Sequence, residues 1–117
     1  MRVQEIAEKL QARILAQGEL ARSEIERAWA GDRISDLLNQ ASGSTLVITH
    51  ALSTHLVRVA ELVDLAAVCL VGGQAPDEEF LSQARGVGLW VITSPVDLFE
   101  TCGRLYPLFF ARERPRS

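Results

Sequence analysis

The stretch LAAVCLVGGQAPDEEF, residues 65–80, sets the architecture. An apolar run without alternation ends in Gly72 and Gly73, and Pro76 then leads into Asp77, Glu78 and Glu79. A continuous apolar run of this kind reads as a strand buried on both faces, as in a parallel sheet. The residues after it read as a helix over 76–86. Pro76 suits the first helical position, where its missing N–H costs nothing, and acids in the first turn meet the positive end of the helix dipole. Phe80, Leu81 and Ala84 face a core, and Gly86 or Gly88 ends the helix.

The same unit recurs on either side. TLVIT (45–49) and LWVIT (89–93) are two more unbroken apolar runs. After the first, Leu56, Val59, Ala60 and Val63 form one helical stripe over 54–64, capped by Ser53 or Thr54. After the second, Ser94 is the expected N-cap of a helix over 95–106, with Pro95 first, Asp97 at the capping-box position, and Leu98, Cys102 and Leu105 inward. Three successive strand–helix units imply parallel strands with right-handed crossovers. In the first 44 residues, Val3, Ile6, Ala7 and Leu10 have helical spacing and RILA (13–16) fits a short strand. EIERAWA (24–30) fits another strand, with Ile25 and Trp29 on one face. ISDLLNQA (34–41) fits an amphipathic helix with Ile34, Leu37, Leu38 and Ala41 inward. The expected fold is α/β, a three-layer α/β/α arrangement around a mostly parallel sheet. It forms one domain over residues 1–111, followed by a polar tail over 112–117.

The totals narrow the function. With 117 residues, 48% hydrophobic and 23% charged, the chain is long enough for a real core. A net charge of −3 argues against nucleic acid, whose phosphates need a basic surface; the three arginines of the tail are a local exception. Two isolated cysteines, Cys69 and Cys102, make neither a disulfide framework nor a zinc site and fit a reduced cytoplasmic protein. No apolar stretch approaches the roughly 20 residues that span a membrane, and the N-terminus lacks a signal-peptide core.

Ligands of open α/β sheets bind beyond the carboxyl ends of the strands. That rule selects THALST (49–54), GGQA (72–75) and TSP (93–95). The candidate ligand-binding residues are Thr49, His50, Ser53, His55, Gly72, Gly73, Thr93 and Ser94. The glycine pair matches neither the dinucleotide fingerprint nor the P-loop. It can cradle an anion with its amides or simply turn the chain, and the acids just beyond it would repel a phosphate. His50 and His55 are five apart across a strand–helix junction, which is not metal-ligand spacing. No serine sits in a nucleophile elbow, and no nucleophile, base and oxyanion donor converge. No catalytic residue, metal or cofactor is expected.

The order GDRISDLL (31–38), TLVITHALSTHLVRVAEL (45–62), AAVCLVGGQAPDEEFLSQA (66–84) and GLWVITSPVDLFETCGRLY (88–106) resembles the DRTGG domain. The resemblance covers nearly the whole chain. It implies a fold similar to the N-terminal domain of HPr kinase/phosphorylase, without the P-loop domain that carries the kinase chemistry. It also implies a regulatory or dimer-forming role, as for domains of this family inside long phosphotransacetylases and CBS-domain pyrophosphatases. The naming motif is partial. Its Asp-Arg positions correspond to Leu52 and Ser53, its threonine to Val71, and only Gly72 and Gly73 match. Asp32-Arg33 lies earlier, before a different helix, and is set aside as a decoy. His55, in STHL, resembles a Thr-His-Leu stretch of stand-alone members.

Three functions are therefore weighed. The first is a non-catalytic regulatory or sensing module that forms a homodimer and binds a partner protein, with YPLFF (106–110) covering the core or making the subunit contact. The second is a small-molecule binding domain for a nucleotide or phosphate-type metabolite. The third, a phosphotransfer enzyme, lacks a candidate catalytic pair.

Overall fold

The computed structural model describes residues 1–40 and 43–110. Ala41 and the tail over 112–117 lie outside the described residues. In chain order the elements are α1 (Val3–Leu10), β1 (Arg13–Ala16), a 3-10 turn (Leu20–Arg22), β2 (Arg27–Ala30), α2 (Ile34–Gln40), β3 (Thr45–Thr49), α3 (Thr54–Leu62), β4 (Ala67–Leu70), α4 (Glu78–Gly86), β5 (Trp90–Thr93) and α5 (Leu98–Phe110). The five strands form one sheet in the order β1-β5-β4-β3-β2. β2 to β5 are parallel, and β1 runs antiparallel along β5.

The three unbroken apolar runs are the three central strands, and every residue of β3, β4 and β5 is buried. They are apolar throughout because each face meets helices. Leu46, Ala67 and Trp90 stand in register across β3, β4 and β5, as do Ile48, Cys69 and Ile92. Both rows join α1 and α5 in one core, with Val3, Ile6, Leu10 and Leu105. Val47, Val68 and Val91 point the other way and pack with Leu37 of α2, Leu56 and Ala60 of α3, and Phe80 and Ala84 of α4. Burying each such aliphatic side chain contributes roughly 1.5–3 kcal/mol. The arrangement is the expected three-layer α/β/α fold.

Several local expectations change. Asp77 is the N-cap of α4, accepting from the Phe80 amide at 2.9 Å, so Pro76 precedes the cap instead of opening the helix. α5 begins three residues later than its proline suggests. Asp97 caps it through the Glu100 amide at 2.9 Å, and Ser94 is turned inward instead. Ile25 and Trp29 do not share a face: Ile25 packs with α1 and Trp29 on the side of α2 and α3. The cause is a backbone irregularity, in which the amides of Glu26 and Arg27 both donate to the Ser44 carbonyl, at 2.8 and 3.3 Å. Alternation is lost across that point. Leu38 is 54% exposed, whereas Leu37 beside it is buried.

In YPLFF, Leu108 and Phe109 pack against the α1 core, while Tyr106 and Phe110 are exposed.

Candidate functional site

All four parallel strands deliver their carboxyl ends to one edge of the sheet. α2, α3 and α4 leave β2, β3 and β4 towards one face, whereas α5 leaves β5 towards the other. The topological switch therefore falls between β4 and β5, where the connections diverge and open α/β sheets leave a crevice for ligands. Gly72 and Gly73 stand at its mouth.

That crevice is bridged by the chain itself. The Gly72 amide donates to the Val96 carbonyl at 2.7 Å, and the Gly73 amide to the Ser94 carbonyl at 2.8 Å. Both glycines have positive φ, +66° and +68°, and the Gln74 amide closes the turn onto the Val71 carbonyl at 3.3 Å. A turn with positive φ at both central positions is the type I′ geometry that glycine adopts without strain. A Cβ on either residue would meet nothing within 4 Å, so conformation and not space calls for glycine. In this structure both amides take part in a turn that clamps the next loop.

The hydroxyls behind the turn are also engaged. Ser94 is fully buried, with its hydroxyl 2.8 Å from that of Thr101 in α5. Thr93 Oγ1 donates to the Gln74 carbonyl at 2.8 Å. Gln74 Nε2 in turn reaches the His50 carbonyl at 3.4 Å, and its Oε1 is buried without a partner among the described residues. Thr93, Ser94, Gly72 and Gly73 thus form one network joining β4, β5 and α5.

Thr49 and His50 belong to a second group, built around Asp32. Thr49 Oγ1 donates to Asp32 Oδ1 at 2.9 Å, the His50 amide donates to the same oxygen at 2.7 Å, and His50 Nδ1 lies 3.2 Å from Oδ2. The His50 backbone N–H holds the Asp32 carboxyl below its usual 3.8; partial burial opposes this, and the Thr49 hydroxyl and the His50 ring reinforce it. Asp32, set aside as a decoy in the sequence, reaches the strand-end edge because β2 pairs beside β3. Its place before α2 carries no trace of that neighbour.

Ser53 and His55 stand at the start of α3. Ser53 has the extended backbone of an N-cap, its side chain makes no capping bond, and α3 has no acid in its first turn. Both side chains are exposed. Among the described residues, no group of three or more His, Cys, Asp and Glu could hold a metal ion, and no helix is long and apolar enough to cross a membrane.

A different kind of surface lies alongside. Between α5 and β2 runs an apolar groove of about 230 Å³, walled by Ala28, Ala30, Cys102, Tyr106 and Phe110. It continues as a shallow hollow bordered by His50, Asp97, Leu98 and Phe99. Phe99 is 89% exposed, Tyr106 53% and Phe110 40%.

The model of the DRTGG domain family matches residues 5–107. Among solved structures, the chain is similar to the CBS and DRTGG domains of the regulatory region of Clostridium perfringens pyrophosphatase, complexed with the activator diadenosine tetraphosphate. The TM-score is 0.74 at 17% sequence identity, over 89% of this chain and 45% of that one, so this chain spans less than half of that structure. No curated protein matches the chain.

Proposed function

The chain belongs to the DRTGG domain family, and on that premise we propose that it is a non-catalytic regulatory module working by association with a second copy of itself and with a partner protein. One contrast carries the reading. The Gly72 and Gly73 amides at the sheet's switch point are committed to the Val96 and Ser94 carbonyls, while the side chains of Phe99, Tyr106 and Phe110 are exposed on α5. A contiguous exposed apolar patch marks an interaction surface, and the two glycine amides are already bonded instead of standing ready as oxyanion donors. Sedimentation velocity of the full chain tests the association. A dimer at micromolar concentration is expected, and a monomer throughout the high micromolar range overturns the reading.

A second reading, a small-ligand sensor, is favoured by one observation. The start of α3 lacks a side-chain cap and a first-turn acid, beside exposed Ser53, His55 and His50 and the unpartnered Gln74 Oε1. The uncapped helix start suits a phosphate, the Gln74 oxygen can accept from a base or ribose group, and diadenosine tetraphosphate is the activator in the similar regulatory region. A thermal-shift series with ATP, diadenosine tetraphosphate, acetyl phosphate and inorganic phosphate decides it. A ligand at a hundred times its dissociation constant stabilises by about 2.7 kcal/mol; flat melting temperatures across the series exclude it.

A further inference from the structure

We infer that the second copy docks through α5, the two helices packing antiparallel about a two-fold axis at the level of Cys102 and Gly103. This rests on the dimer reading above and gives its exposed α5 face a packing direction and an axis.

Phe99, Gly103, Tyr106 and Phe110 recur at intervals of four, three and four residues, which is one stripe of a helix. Thr101 and Leu105 are the buried side of α5, so the stripe faces outward. The exposed phenylalanine at 99 and the groove beside Tyr106 and Phe110 belong to the same helix. A surface that carries both knob and hole is self-complementary, which an isologous two-fold contact requires. Tyr106 and Phe110 already stand together, with ring centroids 4.7 Å apart, so the wall of the hole is formed before any partner arrives.

Gly103 fits the crossing. An added Cβ there would meet nothing within 4 Å, so packing within the chain does not call for the missing side chain. Glycine in a helix interior costs about 1 kcal/mol against alanine, and its missing side chain lets another backbone approach closely. Phe99, Glu100 and Arg104 border the notch that it leaves.

Charge fixes the direction. Glu100 and Arg104 flank the stripe and pair within their own helix at 2.6 Å. With a rise of about 1.5 Å per residue, an antiparallel pair with its axis level with Cys102 sets Arg104 level with the partner's Glu100. The same placement brings Phe99 within one residue of the level of the partner's Tyr106. Four charges of alternating sign then ring the axis, and each phenylalanine enters the other copy's groove. A parallel pairing would set like charges level with each other, Glu100 with Glu100 and Arg104 with Arg104.

Two measurements on the full chain test this. In sedimentation velocity, Phe99→Ala raises the dimer dissociation constant on the order of tenfold or more, whereas Leu62→Ala, at a 77% exposed position on α3, leaves it unchanged. In a Cys102→Ser background, Gly103→Cys forms an intermolecular disulfide under mild oxidation and Leu62→Cys does not. Circular dichroism confirms that each variant is folded. A wild-type dimer that is indifferent to Phe99→Ala and does not cross-link at 103 overturns this inference alone. A wild-type monomer at high micromolar concentration overturns the dimer reading and this inference with it.

Discussion

The amide of Gly73 donates to the carbonyl of Ser94 across 2.8 Å, which ties the exit of β4 to the exit of β5. With its neighbour from Gly72 to Val96, it spans the switch point of the sheet. The bond exists only while residues 72 and 73 hold positive φ. Gly73→Ala or Gly72→Ala is therefore expected to cost about 1 kcal/mol through left-handed strain alone, because an added Cβ meets no atom. Gly73→Asn costs less, and Gly73→Val more. Urea denaturation ranks them; equal stability of the Asn and Val variants would show that conformation is not what glycine supplies.

Behind that turn, the hydroxyls of Ser94 and Thr101 lie 2.8 Å apart with both residues buried. Ser94→Ala leaves Thr101 its contact with the Val96 carbonyl at 3.3 Å and should cost roughly 1–2 kcal/mol. Ser94→Ala with Thr101→Val should cost less than the sum of the two single changes, since neither variant group is left facing an orphaned hydroxyl. An additive cycle would mean that the two hydroxyls are not coupled.

The Asp32 carboxyl gives a pH dependence with a definite sign. Its folded pKa lies below 3.8, chiefly through the His50 backbone N–H. Its contribution is present in full above the unfolded value and is lost as pH falls through the lowered folded value. Asp32→Asn keeps an oxygen acceptor for Thr49 and the His50 amide but removes the charge. The variant's stability should fall less steeply than the wild type's below about pH 4, with a deficit at neutral pH on the order of 1 kcal/mol or less, because the carboxylate is half-exposed. Parallel acid-unfolding curves would refute this.

The two cysteines should differ in reactivity. Burial pushes the Cys69 thiol up to about 12, the Ser94 backbone partly offsetting this and Cys102 adding slightly. Burial raises Cys102 as well, though its side chain is only half-buried. Thiolate is the reactive form. Brief alkylation of the native chain at pH 8 should therefore mark Cys102 and spare Cys69, with both marked after unfolding. Peptide mass spectrometry that finds native Cys69 labelled at a matching rate would contradict the burial of β4 in the core.

The central sheet was legible in the sequence because its strands are buried on both faces, which leaves an unbroken apolar run for each. What the sequence hid depends on neighbours distant along the chain. Asp32 looks like an ordinary turn residue until β2 is laid beside β3. Trp29 and Ile25 look alternating until two amides share the Ser44 carbonyl. The start of α5 looks like Ser94-Pro95 until the carbonyls of Ser94 and Val96 are claimed by the glycine turn. Of the candidate site residues, Thr49 and His50 meet at Asp32, and Gly72, Gly73, Thr93 and Ser94 meet at the turn, whereas Ser53 and His55 join neither group. Spacing along the chain gave their common edge and not its two clusters, which Gln74 links through the His50 carbonyl.

α1 and α5 share one face of the sheet, and Met1 lines the same hollow as Leu108 and Phe109. The start of α1 and the end of α5 therefore lie side by side. Entry and exit points that lie close together allow a domain to be spliced into a loop of another protein with short joints. Such a graft would place α5 against its host, so the host's linkers would decide whether that helix is free to meet a second copy.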